Sequence, residues 1–252
     1  MKTQTTTTTG VERVQALDWE QIGRSLSSAG NAVLSQLLSA EECQQLAALY
    51  PQNEPFRSHI LMARHGFGRG EYKYFAYPLP TVIADLRSAL YARFVPIANS
   101  WEAGLSSNIR YPDEHADLLA RCHAVGQIRP TPLLLQYVSG DYNCLHQDLY
   151  GEHVFPIQVA ILLSAPGQDF KGGEFVLTEQ RPRMQTRAEV VPLQQGDAVA
   201  FAVHTRPVQG TRGTYRVNMR HGSARCVLVN VTPWGSSSTT RSKGIGRRMH
   251  RS

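Results

Sequence analysis

The sequence contains no long apolar segment and little cysteine. No stretch approaches the roughly 20 apolar residues that a membrane-spanning helix needs, and the threonine-rich start lacks the apolar stretch of a secretory signal. The 4 cysteines are scattered at positions 43, 122, 144 and 226, without the paired spacing of zinc or thioredoxin-like sites. We therefore expect a soluble, cytoplasmic protein with reduced thiols and no membrane partner.

The chain also lacks an excess of charge outside its C-terminal end. Its net charge of +6 and isoelectric point of about 9.3 are typical of proteins that bind nucleic acids. However, 6 basic residues and no acidic residue follow His221, which leaves 20 basic and 20 acidic residues in the preceding part. Overall charge therefore gives no support for a nucleic-acid groove on the body of the protein.

Helical patterns dominate the first half of the chain. One pattern covers about residues 18–29, and a second begins with a capping box formed by Ser39 and Glu42. A third covers residues 80–98, where apolar side chains recur at helical spacing. We expect these helices to pack against a sheet.

From Leu133 onward, the pattern changes to short strands separated by turns. Residues 155–163 alternate between apolar and other side chains with a period of two, and further apolar runs occupy residues 172–177, 188–193 and 198–203. Many short strands at regular spacing indicate a sandwich or a jelly roll. The sequence therefore predicts an α+β protein with a strand-rich core.

Two metal-ligating side chains lie one residue apart in this core. In an extended strand, residues i and i+2 share a face, so His146 and Asp148 can bind one ion while Gln147 points away. A second histidine would complete a set of two imidazoles and one carboxylate, which suits ferrous iron because it leaves positions open for a co-substrate and dioxygen. Taken alone, the tripeptide is more often a strand histidine beside a surface aspartate.

The order of several motifs resembles that of iron(II)- and 2-oxoglutarate-dependent dioxygenases. These motifs are Tyr137-x-x-Gly140, His146-x-Asp148, Asp169-Phe170-x-Gly172-Gly173-Glu174, Gly196-Asp197 before an apolar strand, and a distal histidine. Residues 137–148 are also similar to AlkB-type nucleic-acid dealkylases, whereas residues 62–68 and 215–222 resemble a bacterial oxygenase family thought to act on methylated, damaged DNA. The resemblance implies a double-stranded β-helix (jelly-roll) core, with Fe(II) as cofactor and 2-oxoglutarate and dioxygen as co-substrates.

The resemblance also implies ligand roles for particular residues. His146 and Asp148 are expected to hold the iron, and His221 occupies the position that resembles the family's third ligand. His204, which directly follows the apolar strand 198–203, is the alternative third ligand. Tyr137 is expected to bind the co-substrate, with a tyrosine of the core as the alternative.

The family's usual basic residue, about ten positions after the last histidine, receives the far carboxylate of 2-oxoglutarate. Here that position is Val231, so we consider Arg216 as a substitute, because Arg220 adjoins His221 and would point to the opposite face. A frameshift near Gly222 explains the loss.

Codons that encode residues 231–240 can, when read one base out of register, give the strand-like R-H-T-L-G-I-I-F-H-D. The same shift turns the residues after Gly222 into V-S-x-V-R-S-G-Q-R, whose last arginine stands ten places after His221. The tail is then a misread closing strand. We therefore predict a disordered start at 1–10, a helical part at 11–132, the jelly-roll core at 133–222, and a basic, frameshifted tail at 223–252.

The resemblance implies oxidation of a methyl group on a damaged DNA base, followed by loss of formaldehyde. The alternatives are hydroxylation of a protein or small molecule, and an inactive chain that lacks the co-substrate arginine. Residues 64–75, predicted to be a glycine-punctuated loop with interleaved basic and aromatic residues, would supply a wedge or clamp for a flipped base. Ordinary loop packing of Tyr72, Tyr74 and Phe75 is the alternative for this segment, and the sequence indicates no oligomeric state.

Overall fold

The computed structural model describes residues 8–211 and 213–229. The helices in this part are α1 (Gly10–Ala16), α2 (Trp19–Ala29), α3 (Ala40–Ala47), a 3-10 helix (Met62–His65), α4 (Thr81–Gly104) and α5 (His115–Ala124). The strands are β1 (Asn31–Leu34), β2 (Phe56–Leu61), β3 (Gly68–Arg69), β4 (Glu71–Phe75), β5 (Leu133–Gln136), β6 (Tyr142–His146), β7 (Ile157–Ile161), β8 (Phe170–Gly172), β9 (Phe175–Gln180), β10 (Arg187–Val191), β11 (Ala198–Ala202), β12 (Thr205–Gly210), β13 (Gly213–Ser223) and β14 (Cys226–Val229).

The three predicted helices are confirmed as α2, α3 and α4. The Asp18 side chain caps α2, and Ser39 caps α3 through the predicted capping box with Glu42. Helix α4 continues to Gly104, beyond the predicted end at residue 98, because its later turns still bury Trp101. Within the described residues, no helix combines the length and the apolar character needed to cross a bilayer.

Helix α1 begins at Gly10, inside the segment for which the sequence predicts disorder. Thr9 caps it in a reciprocal arrangement with Glu12, whose side chain accepts a hydrogen bond from the Thr9 backbone N–H. Residues 1–7 of the predicted disordered start lie outside the described residues.

The strands form antiparallel sheets that join the two halves of the chain. The largest has the order β10-β9-β13-β6-β3, with β12 also paired to β13. Two sheets of three strands have the orders β1-β11-β7 and β2-β4-β5, and β14 pairs with β8. Helices and antiparallel sheets together confirm the α+β class.

The part before Leu133 is less purely helical than predicted, because it also contains strands. Of these, β1 pairs with β11, and β3 pairs with β6. The prediction of a loop at residues 64–75 is also wrong, because this segment contains the strands β3 and β4. Gly68 has a φ of 125°, and a side chain there would collide with the Tyr142 carbonyl of the paired strand. The glycine that suggested a loop therefore permits a close strand pairing.

Arg206 connects α2 to the largest sheet. Its fully buried guanidinium donates hydrogen bonds to the carbonyls of Ser27 (2.7 Å) and Ser28 (2.9 Å) and pairs with Glu179 on β9. The hydrogen bonds satisfy two carbonyls near the C-terminal end of α2, and Glu179 compensates the buried charge of Arg206. The helix is thus held against the strands that carry the candidate site.

Candidate metal centre

The pairing of β6 with β13 brings His146 and His221 together. The two residues are direct partners in the antiparallel register, and their ring centroids lie 4.1 Å apart. Asp148 follows two residues after His146, and its two carboxylate oxygens each lie 3.4 Å from an Nε2 atom, Oδ1 from His146 and Oδ2 from His221. One ligand atom from each residue fits within 4.8 Å of the others, the geometry of a metal site.

Both imidazoles are oriented before any metal binds. The Nδ1 atom of His146 donates a hydrogen bond to the Cys144 carbonyl at 2.8 Å, which directs its Nε2 atom to Asp148. His221 is held by packing, with its ring centroid 4.6 Å from that of Phe201 and 6.0 Å from that of Phe175. The rings therefore present two nitrogen donors to the same side as the carboxylate.

Gln147 points away from this group, as predicted. Its side-chain amide donates hydrogen bonds to the carbonyls of Met219 (2.8 Å) and His204 (3.2 Å). These bonds attach the His146–Asp148 segment to β13, because Met219 lies two residues before His221. The residue between the two candidate ligands thus fixes their position relative to the third.

The electrostatics favour a charged Asp148 and a neutral His221. They oppose a neutral His146: burial lowers its pKa, but hydrogen bonds with Asp148 and the Cys144 carbonyl outweigh burial and raise the pKa overall. Burial opposes ionisation of Asp148, but hydrogen bonds with His146 and His221 outweigh it, so the pKa of the carboxyl lies well below its usual range. Burial lowers the pKa of His221, and the nearby His146 lowers it further. A charged carboxylate beside a neutral buried imidazole is the donor state that metal ions bind.

The structure does not bring His204 to this group. Its pKa is lowered mainly by burial, and the charged neighbours that affect it are Glu102 of α4 and Arg216. Its ring therefore lies near α4, whereas its carbonyl accepts the hydrogen bond from Gln147. Of the two histidines weighed as the third ligand, His221 is the one beside His146 and Asp148.

Arg216 is also kept away from the group by strand geometry. On β13, the side chains of Val217, Met219 and His221 are buried, whereas Arg216 and Arg220 are exposed. Arg216 lies an odd number of residues from His221 and therefore faces the opposite side of the strand. The predicted substitute for the co-substrate arginine does not reach the metal centre.

Tyr137, in contrast, lies near the strand pair β6–β13, which carries His146 and His221. Its buried hydroxyl has no well-formed hydrogen bond, and it lies close to Asn143 and Ser223, which are paired across β6 and β13. Burial raises the pKa of Tyr137 to about 12, so the group stays protonated and can donate to an anionic ligand. Asn143 and Ser223 were missed from the sequence, although Ser223 shares the face of His221 at an i+2 spacing.

Comparison with known proteins matches this chain to a family. Residues 70–228 match the model of a family, Oxygenase-NA, described as an "Oxygenase, catalysing oxidative methylation of damaged DNA". The matched span contains His146, Asp148 and His221 and extends past Gly222. Uncharacterized proteins from two Mycobacterium tuberculosis strains, CDC 1551 and H37Rv, are each 50% identical over 148 residues, 59% of this chain. The chain spans 64% of the length of these curated relatives.

Solved structures with similarity to the chain include two oxygenases. A prolyl-4-hydroxylase from Pseudomonas putida is 14% identical, with a TM-score of 0.44, over 82% of this chain and 98% of that chain. An oxidoreductase of the 2OG-Fe(II) oxygenase family from Burkholderia pseudomallei is 13% identical, with a TM-score of 0.44, over 84% of this chain and 86% of that chain.

Proposed function

Because the chain belongs to the Oxygenase-NA family, we propose that it is an iron(II)- and 2-oxoglutarate-dependent dioxygenase that demethylates damaged DNA bases by oxidation. The observation that supports this function is the group formed by His146, Asp148 and His221, whose ligand atoms lie within 4.8 Å of one another. The family description supports DNA as the substrate, and the donor set supports the oxidative chemistry.

The donor set fits ferrous iron. The Nε2 atoms of His146 and His221 and the Asp148 carboxylate would hold the ion from one side, and the remaining side would be free for 2-oxoglutarate and dioxygen. When bound, these groups supply the oxidation of a methyl C–H bond, with succinate, carbon dioxide and finally formaldehyde as products. His146 and His221 would hold the ion through lone pairs that the Cys144 carbonyl and the phenylalanine packing orient.

Tyr137 is the residue that we assign to the co-substrate. Its unpaired, protonated hydroxyl is buried next to Asn143 and Ser223, so it can donate to a carboxylate oxygen without competition from bulk water. Phe175 and Phe201 pack against His221, whose side chain is only 8% exposed.

We also propose that the core is a double-stranded β-helix. The sheet β10-β9-β13-β6 and the sheet β1-β11-β7 both pair strands that are distant in sequence, as a jelly roll requires. Among the described residues, β5 and β7 each pair along one edge only. As edge strands, they leave room for the closing strand that, on the frameshift hypothesis, the shifted frame encodes.

The tail hypothesis concerns residues 223–252, of which 230–252 lie outside the described residues. Its first part forms β14, which pairs with β8. Sequencing the coding DNA across the Gly222 codon tests the frameshift directly, and a gene without a nearby alternative frame would refute it.

The function is tested by assaying the purified chain with Fe(II) and 2-oxoglutarate. We expect formaldehyde and succinate with N-methylated oligonucleotides, no formaldehyde with unmethylated ones, and neither product with the Asp148→Ala variant. The same assay is run on a panel of peptides and metabolites and on a chain with the reading frame restored.

Succinate release with a peptide or metabolite, but not with methylated DNA, would replace DNA by the other substrate class. Turnover by the restored chain alone would show that the present chain is the inactive form. Absence of turnover from both chains with every substrate would overturn the proposed function.

A further inference from the structure

Two tyrosines of β4 form an accessible aromatic surface. Tyr72 and Tyr74 lie on one face of the strand, whereas Lys73 and Phe75 are buried on the other face. The two rings contact edge to face, with centroids 5.4 Å apart and planes at 86°. Both side chains are half-buried, so each is held in place and still exposes part of its ring.

This surface adjoins the candidate metal centre. Burial is the main cause that raises the pKa values of Tyr72, Tyr74 and Tyr150, and the charge of Asp148 contributes to all three. Tyr150 follows Asp148 by two residues and is 57% exposed. Three phenol groups therefore lie within the electrostatic influence of the proposed iron ligand Asp148.

The apolar neighbours extend the surface across the sheet. In the register of β2-β4-β5, Tyr72 lies between Ile60 and Leu135, and Leu135 is 46% exposed. The result is a sheet face with aromatic and aliphatic side chains that no described element covers fully.

Cationic side chains accompany the rings. The Arg57 guanidinium lies 4.4 Å from the Tyr74 ring centroid and is held by hydrogen bonds to the Pro130 carbonyl. Arg64 is exposed in the 3-10 helix that precedes β3, and the Arg69 side chain is 62% exposed with Asp141 at 3.7 Å. The Tyr74 ring thus contacts one guanidinium group, and two further exposed arginines precede β4 in the chain, a combination complementary to bases and phosphates.

We propose that Tyr72, Tyr74 and Tyr150 form a stacking shelf for unpaired bases of a single-stranded nucleic acid, with Arg57, Arg64 and Arg69 as phosphate contacts. The shelf would place a base beside Asp148. This inference rests on the proposed function, which it deepens by naming the residues that select an unpaired base. Stacking tolerates any base because every base has an aromatic face, whereas a duplex hides those faces.

The shelf is tested by binding, which does not depend on turnover. The full chain is titrated against a fluorescent single-stranded oligonucleotide and against the duplex of the same sequence, with fluorescence anisotropy as the readout. We expect tighter binding of the single strand. The Tyr72→Leu/Tyr74→Leu variant should weaken it by about 10- to 100-fold, because each stacked base is lost.

Matched variants separate stacking from simple loss of structure. Tyr72→Phe/Tyr74→Phe keeps the ring faces and should bind within about 3-fold of the parent chain. Tyr77→Leu removes an exposed tyrosine beyond the end of β4 and should leave binding unchanged. Binding of Mn(II) to each variant checks the fold, and Tyr150→Leu alone replaces the double variant if the latter does not fold.

The proposal of a stacking shelf would be overturned if the Tyr72→Leu/Tyr74→Leu variant bound the single strand as tightly as the parent chain does. It would also be overturned if the parent chain preferred the duplex. These failures differ from failure of the proposed function. Oligonucleotide demethylation that is insensitive to the leucine pair refutes the shelf alone, whereas tyrosine-dependent binding without demethylation refutes the function alone.

Discussion

His146 and His221 are prepared for a metal ion by different physical means. A hydrogen bond to the Cys144 carbonyl orients the His146 ring, whereas aromatic packing holds His221, whose Nδ1 atom is buried without a partner. Gln147 then fixes the distance between the two histidines through the Met219 carbonyl. The position of each donor is therefore set by its neighbours before binding, which lowers the cost of assembling the site.

Replacement of the two competing histidines should have unequal effects on metal affinity. We expect His221→Ala to weaken Mn(II) binding by at least about 100-fold, because it removes a ligand. His204→Ala should change the affinity by less than about 3-fold, since its ring lies near α4. Isothermal titration with Mn(II) measures both, and a larger loss in His204→Ala would reverse the ligand assignment.

Strand pairing explains why the elements of the site meet. β13 lies between β9 and β6, so His221 has Leu177 on one side and His146 on the other. β3 extends the same sheet beside β6, and β4 follows it with the tyrosines of the shelf. Among the residues that the structure describes, β5 and β7 lie at sheet edges, and open edges invite aggregation.

Restoring the reading frame after Gly222 should therefore stabilise the protein. We expect the restored strand to raise the Tm by roughly 4–8 °C, equivalent to about 2 kcal/mol, and to increase the soluble yield. A restored chain with proline in the middle of that strand is the control, because proline removes a ladder hydrogen bond. Equal Tm values for the present and restored chains would count against the hypothesis.

The N-terminal part and the strand-rich core behave as one structural unit in the described residues. β1 pairs with β11 at the edge of the β1-β11-β7 sheet, and Arg206 joins α2 to Glu179 of β9. Trp19 and Trp101 pack into the same apolar cluster as residues of β11 and β13. Unfolding of one part would expose the buried surface of the other, so we expect a single cooperative transition.

Metal binding to the core should consequently stabilise the N-terminal helices. At a Mn(II) concentration about 100 times the Kd, stabilisation is about 2.7 kcal/mol, or roughly 5–10 °C in Tm. In a Trp234→Phe background, fluorescence of Trp19 and Trp101 should report the same shift as far-UV circular dichroism. Asp148→Ala should show no shift, and two transitions of which metal moves only one would contradict a single unit.

Local patterns were sufficient to predict several features correctly. The cap at Ser39 and the outward direction of Gln147 depend on residues within one turn or one strand step. The oxygenase class inferred from the ordered motifs is confirmed by the family match. DNA as the substrate, and the roles of individual site residues, remain proposals.

By itself, the sequence determined the starts of α2, α3 and α4, the strand periodicity and the shared face of His146 and Asp148, because these follow from interactions between near neighbours. The tertiary structure alone decided that His221 rather than His204 joins them, that Arg216 faces away, and that the predicted loop is a strand bearing a tyrosine surface. Those outcomes depend on the register of strands far apart in the chain, which burial and hydrogen bonding between distant residues select.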